Sequence, residues 1–253
     1  MDGYRKGCKA FTLPQPTHKS RRRTYEKPSR LPNCPSIRDA ISDLPDVDKI
    51  SALKERDSVR RTLRGGSSYA RYLRGERTDK TDFPYRRLYD QSLLTCSQRI
   101  KHGVDAKKRF AKTKSGEVES VSHFLRLDPT GVCNTLRAGT LPDKGSFTSP
   151  RPIHPQYSRC ITVREAARLH SYPDWFRFHN TKWHGFRQIG TSVPPLLARA
   201  IANAIAIPPG TSVRKPLLQM PLESPWKVQN DVTPTTGNRN RKHQRKNNPR
   251  ATQ

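Results

Sequence analysis

Apolar residues recur at helical spacing directly after Ser36. They share one face of the predicted helix and are Ile37, Ala40, Ile41 and Leu44. Ser36 and Asp39 have the spacing of a capping box, in which two side chains satisfy free backbone donors of the first turn. Because Pro45 cannot continue a helix, the pattern predicts a short helix that ends before it.

Two further helices are predicted between Arg159 and Ile205. Thr162 and Glu165 form a full capping box, and the helix that follows must end before Pro173. The next helix is expected to begin at Pro194–Pro195, since the first turn does not need those amide hydrogens. Its apolar stripe consists of Leu197, Ala200, Ile201, Ala204 and Ile205.

Residues 50–150 have little periodicity. Alternation over Val121–Leu127 predicts one short strand. With 22 prolines, 14 glycines and only 32% hydrophobic residues, the chain is expected to be loop-rich with a modest core. We therefore predict an α+β fold with four parts: a basic, proline-rich lead-in with a short helix (1–49), a loop-rich domain (50–158), a helical part (159–207) and a disordered basic tail (208–253).

The formal net charge of +28 points to an acidic polymer as partner, because lysine and arginine release counterions when they neutralise phosphates. On charge alone, a ribosomal-type or disordered basic protein remains an equal alternative. No run of about 18 apolar residues predicts a membrane span, and the N-terminus lacks an apolar leader. Five widely spaced cysteines without a Cys-x-x-Cys pair indicate neither a metal site nor disulfides, which fits a reduced cytoplasm.

The segment Arg159–Phe176 resembles a conserved block of the DNA cytosine-5 methyltransferases. The matching residues are Arg159, Ile161, Thr162, Arg164, Glu165, Arg168, Leu169, Tyr172, Pro173 and Asp174. His170 stands where the family usually has Gln. The resemblance implies that this block organises the DNA-reading domain and that its residues are structural.

A second segment, Gln188–Pro194, resembles the last block of the same family. In relatives this turn lines the S-adenosylmethionine pocket, which implies cofactor contacts from Gly190, Thr191, Ser192 and Val193. A glycine at a tight turn before a helix would also allow close approach of a ligand. Thr191 replaces the usual Asn of the family.

The resemblance extends more weakly over residues 11–207 and implies that residues 50–130 form the variable DNA-reading region. Arginines interleaved with tyrosines fit phosphate contacts and stacking on duplex DNA. The candidate DNA-binding residues are Arg71, Arg74, Arg86, Arg87 and Arg137. The resemblance to a bacterial subgroup further implies the bacterial cytoplasm.

The catalytic elements of the family are absent from these 253 residues. There is no Phe-x-Gly-x-Gly turn, no Glu-Asn-Val element, and none of the five cysteines follows a proline. We therefore expect no catalytic residue here and expect the Rossmann-like α/β catalytic core to be missing. The resemblance implies DNA cytosine-5 methylation as in restriction–modification systems, with this chain either the product of a truncated gene or a subunit that a second polypeptide completes. The alternatives are a non-enzymatic basic nucleic-acid-binding protein and a decayed remnant.

Overall fold

The computed structural model describes residues 13–20, 30–79, 82, 86–139, 151–179, 181–206 and 218–222. Its helices are α1 (Ile37–Ile41), α2 (Ser68–Leu73), α3 (Val104–Lys112), α4 (Val163–Leu169), α5 (Lys182–Thr191) and α6 (Pro195–Ala206). Short 3-10 turns cover Val47–Lys49 and Ser51–Lys54. The strands are β1 (Val59–Arg60), β2 (Arg86–Leu88), β3 (Leu93–Leu94) and β4 (Gln219–Pro221).

The strands form two small sheets. β1 pairs antiparallel with β3, with Val59 opposite Leu94 and Arg60 opposite Leu93, and β2 pairs with β4. Residues 1–220 cluster into one compact unit and residues 221–253 into another, of which only Pro221 and Leu222 are described. The mixed α/β content agrees with the predicted fold class, and most of the predicted tail lies outside the described residues.

Three predicted helices are confirmed, together with their start signals. Both capping boxes are present: Ser36 with Asp39 at α1, and Thr162 with Glu165 at α4. α6 begins at Pro195, and the Ser171 hydroxyl accepts a hydrogen bond from the Leu196 amide at 3.1 Å. The capping boxes could be predicted from the sequence because each one involves two side chains that are three positions apart.

The main core forms where α1 and α5 pack against α4. Its buried members are Ile37, Ala40, Ile41, Cys96, Leu127, Leu136, Ile161, Val163, Ala166, Ala167, Phe186 and Ile189. A second, smaller cluster joins Ile100, Phe110, Ile153 and Cys160, with Ala106 and Phe124 against it. The α3 helix therefore belongs to a different core from α1 and α4.

The strand predicted at Val121–Leu127 is not formed. His123 has a positive φ of 56°, and only isolated bridges join Val118 to Leu125 and Arg126 to Ile153. The buried Glu119 carboxylate accepts hydrogen bonds from the Val121 amide at 3.1 Å and the Ser122 amide at 2.6 Å, which closes a turn there. The alternating pattern was misleading because the Glu119 side chain satisfies backbone amides that would otherwise be available to a neighbouring strand.

Helix α5 is one of the helices that periodicity did not predict, together with α2 and α3. It contains Gly185 and Gly190, and glycine disfavours helix interiors by about 1 kcal/mol relative to alanine. Both glycines allow close packing: a Cβ on Gly185 would lie 2.9 Å from Cγ1 of Val163, and one on Gly190 would lie 2.3 Å from the carbonyl carbon of Arg137. The expected tight turn at Gly190 is thus corrected to the last turn of a helix pressed against another backbone segment.

Candidate functional site

The three arginines of the Arg159–Phe176 block are structural. Arg159, Arg164 and Arg168 are at most 1% exposed. Arg159 makes a two-pronged contact with Glu165, at 2.8 and 2.7 Å, inside the α4 capping box. Although burial alone would raise it, the Arg159 charge and its hydrogen bonds hold the pKa of Glu165 at about 2.

Arg168 connects α4 to two separate parts of the chain. Its guanidinium donates to Asp43 at 2.9 Å and to Asp174 at 2.7 and 2.6 Å, and it also reaches the Ala40 carbonyl at 3.1 Å. Because the Asp43 side chain is fully buried, its charge depends on such partners. The Arg168 network therefore locks α1 and the 173–176 segment to α4.

Arg164 connects α4 to the residue after β3 and to the 173–176 segment. It donates to the Thr95 hydroxyl at 2.7 Å and to the Phe176 carbonyl at 2.8 Å. Beside it lies a cavity of about 130 Å³, whose walls include Arg74, Glu76, Tyr89 and Asp174. Ligand pockets usually measure about 300–1,000 Å³, so this cavity is too small for a nucleoside-sized cofactor.

Arg74 is the candidate DNA contact whose prediction is corrected. Only 5% of it is exposed. It donates to Glu76 at 2.7 Å and also bonds Asp43 and the Gly65 carbonyl. Its donors are used inside the fold, and two carboxylates already neutralise its charge, so it has no group left for a phosphate.

The other candidate arginines are placed differently. Arg71 is exposed and pairs with Glu76 at 3.2 Å. Arg137 is also exposed, and its backbone packs against Gly190. Arg87 lies 5.3 Å from the centroid of the Trp175 ring in a cation–π contact. Arg86 is in β2, but its side chain lies outside the described residues. The structure brings Arg71 and Arg74 together around Glu76.

The candidate cofactor residues lie at the junction of α5 and α6. The Thr191 hydroxyl donates to the Arg187 carbonyl at 2.9 Å, and the Ser192 hydroxyl donates to the Ile189 carbonyl at 2.7 Å. The Ser192 carbonyl is 3.1 Å from Nε2 of His170. Val193 is 57% exposed, so the segment presents an apolar side chain beside two hydroxyl oxygens that can still accept hydrogen bonds.

The α6 helix leaves apolar side chains uncovered. Leu197 is 51% and Ile205 61% exposed. Arg199 connects α6 to α2 and to the segment after it. Its guanidinium donates to the Tyr72 hydroxyl at 2.7 Å and lies 3.5 Å from the carboxylates of both Asp79 and Asp82. Sequence reasoning missed this contact because its partners are more than 100 positions apart.

The two buried cysteines, Cys96 and Cys160, do not have the environment of a nucleophile. Burial raises the pKa of Cys96 and raises that of Cys160 to about 12, so both stay protonated near neutral pH. Cys34 and Cys133 are partly exposed. Within the described ranges there is no group of acidic, histidine or cysteine side chains that could hold a metal, and no helix is long and apolar enough to cross a bilayer.

Comparison with known proteins gives consistent matches. The chain is 53% identical over 203 residues to the type II methyltransferase M.XorII of Xanthomonas oryzae pv. oryzae, covering 80% of this chain and 44% of that protein. It is 30% identical over 193 residues to M.DdeI of Desulfomicrobium norvegicum, covering 68% of this chain and 42% of that protein. The chain thus spans less than half the length of these two relatives.

A solved structure and a family model agree with these relatives. The structure is described as a DNA modification methyltransferase encoded within a prophage of E. coli; it matches with a TM-score of 0.52 and 30% identity, over 71% of this chain and 48% of that one. Residues 5–206 match the model of the C-5 cytosine-specific DNA methylases. The chain therefore belongs to the C-5 cytosine-specific DNA methylase family.

Proposed function

We propose that this chain is the DNA-recognition and C-terminal part of an S-adenosylmethionine-dependent DNA cytosine-5 methyltransferase, and that its nucleophile is supplied from outside these 253 residues. One observation carries the proposal. This chain belongs to the family, yet none of its cysteines directly follows a proline, and burial raises the pKa of Cys96 and of Cys160.

Methylation of a cytosine ring carbon requires that nucleophile. A thiolate adds to the neighbouring ring carbon and activates the ring toward the methyl donor. The base must also leave the duplex to be reached. The missing groups, and the Rossmann-like α/β core that would carry them, lie either on a second polypeptide or elsewhere in a longer chain.

Duplex DNA is the proposed substrate. Residues 50–158 form the proposed target-recognition part, where Arg71 and Arg137 are exposed and Arg87 is partly exposed. Arg86 stays in the proposal through its position in β2, and Arg74 is removed from it because its donors are used within the fold. Accessible arginines on a chain of charge +28 support phosphate contacts.

The α5–α6 junction is proposed as one wall of the cofactor pocket. Exposed Val193 supplies an apolar surface, Thr191 and Ser192 supply hydroxyl oxygens that can accept, and Gly190 lets α5 pack close enough to hold them in place. These residues can form one side of a cofactor pocket but do not enclose it, so the catalytic half supplies the other sides. When bound there, S-adenosylmethionine supplies the methyl group.

Helix α6 is the proposed contact with that catalytic half. Its uncovered Leu197 and Ile205 are large apolar side chains that a partner surface would bury. Arg199 holds the helix to α2 through Tyr72, so the contact with the catalytic half is connected to the proposed DNA-reading part. In this scheme residues 159–207 join the two functions, and 1–49 and 208–253 flank them.

The proposal is tested by reconstitution. The 253-residue chain is mixed with the portion of the Xanthomonas relative that lies outside the matched region, and transfer of a tritiated methyl group to duplex DNA is measured. We expect transfer from the mixture and none from either polypeptide alone. Leu197→Glu should abolish transfer by the mixture, whereas Leu218→Glu, another exposed leucine, should leave it intact. Methylation by the chain alone would refute the proposed absence of the nucleophile.

Binding of DNA by the chain alone separates this proposal from its alternatives. A DNA-recognition part should prefer one duplex sequence over others at physiological salt, because base contacts add to phosphate contacts. Equal affinity for all duplexes would favour a basic binding protein that uses charge alone.

A further inference from the structure

Four cationic side chains meet beside the smaller core cluster. That cluster joins Ile100, Phe110, Ile153 and Cys160, which come from three distant segments. Lys101 directly follows Ile100, Lys107 is one helical turn before Phe110 on α3, and Arg151 lies two residues before Ile153. Packing of the apolar residues therefore places these three residues around one cluster.

The start of α5 adds a fourth cation. The Arg151 guanidinium lies 6.0 Å from the centroid of the Phe186 ring. Lys182, the first residue of α5, is four positions before Phe186 and so lies on the same helix face, one turn away. Lys182 is partly buried, and its pKa is lowered by burial and by the charges of Arg151 and Lys101.

None of the four cations forms an ion pair with any residue that the structure describes. The carboxylate that acts on nearby His102 is Asp48, and it already pairs with Arg99 at 3.0 Å. The buried Nε of Arg151 has no hydrogen-bond acceptor within the described ranges. Like charges held together without a counterion repel each other, and an anion would relieve the repulsion.

His102 supplies a neutral donor at the same place. Burial and the charges of Lys182 and Lys107 lower its pKa to about 4, so the ring is uncharged near pH 7. Its Nε2 accepts a hydrogen bond from the Cys160 amide at 3.1 Å, which leaves the proton on Nδ1. The neutral ring adds a hydrogen-bond donor without adding charge.

We propose that Lys101, Lys107, Arg151 and Lys182, together with Nδ1 of His102, bind a phosphate group of a duplex DNA backbone. The inference rests on the proposed function, and it adds a contact region that none of the candidate arginines belongs to. A phosphodiester fits because it is a compact anion whose oxygens can accept from several donors at once. Such a contact orients the chain on DNA without reading its sequence.

Salt dependence of duplex binding by the full chain tests the site. Lys182→Gln and Arg151→Gln each remove one charge; the matched controls are Lys54→Gln and Lys112→Gln, both exposed lysines outside the cluster. Each cluster substitution should reduce the slope of log affinity against log salt by about 1, equally for every duplex sequence. Lys182→Arg, which keeps the charge, should restore the slope, and the controls should change it less.

Stability distinguishes loss of a ligand contact from loss of folding. Because Lys182→Gln removes a repelling charge, its urea unfolding midpoint should be unchanged or higher while DNA binding weakens. Wild-type binding with unaltered slopes in both cluster variants would overturn this inference and leave the proposed function intact. Failure of the wild-type chain to bind any duplex would overturn the proposed function. If such a chain does not bind DNA but pyrophosphate stabilises it, and if pyrophosphate does not stabilise Lys182→Gln, the site binds a free phosphate anion. That result would overturn the DNA contact.

Discussion

Replacement of Arg168 by methionine tests the buried ion network that holds α1, α4 and the 173–176 segment together. The substitution keeps much of the side-chain volume but removes the donors of Arg168 to Asp43 and Asp174, whose side chains are 0% and 12% exposed, while Arg74 still pairs with Asp43. Breaking a buried pair costs about 3–5 kcal/mol, because buried charges lose a partner. We expect the free energy of unfolding to fall by about that amount.

The control is Arg71→Met, since Arg71 is also an arginine paired with a carboxylate but is 45% exposed in its side chain. An exposed pair contributes about 0–1 kcal/mol, so this variant should unfold near the wild-type midpoint. Urea unfolding followed by circular dichroism measures both midpoints and slopes. Equal losses in the two variants, or a loss below about 1 kcal/mol in Arg168→Met, would contradict the reasoning from burial.

Two further predictions concern a glycine and a carboxyl group. Gly190→Ala should destabilise the chain by about 1–3 kcal/mol despite better helix propensity, because its Cβ would meet the Arg137 backbone at 2.3 Å; Gly131→Ala, whose Cβ would lie no closer than 3.4 Å to the Asp128 side chain, should cost less in the same unfolding assay. Burial raises the pKa of Asp57 from 3.8 to about 6, so at this site the folded chain holds a proton that the unfolded chain has released, and the Asp57 contribution to stability should decrease as pH rises from about 4 to 6. Burial lowers the pKa values of His102 and His154 to about 4, which acts in the opposite direction over the same range, so the test is the difference between wild type and Asp57→Asn. Asp57→Asn should gain stability relative to wild type as pH rises; a difference between the two proteins that stays constant over this pH range would contradict the assignment.

Local signals in the sequence were sufficient for part of the fold. Both capping boxes and the start of α6 were predictable, because each depends on side chains within one helical turn. The family resemblance was also visible in short blocks of sequence, and the match over residues 5–206 confirms it. Helix α5 was not predictable, since its two glycines disfavour a helix until a neighbouring backbone requires them.

The candidate site was predicted only in part for the same reason. The sequence does not distinguish an arginine that can contact DNA from one whose donors are used within the fold. The structure assigns Arg74 to the second kind because Asp43 and Glu76 bind its guanidinium. The sequence by itself determined the family, the basic charge and the positions of three helices, because these depend on composition, short blocks and local spacing. Only the tertiary structure decided which cations are neutralised and which stand together without a counterion, because the carboxylates and cations involved meet through folding and not through sequence proximity.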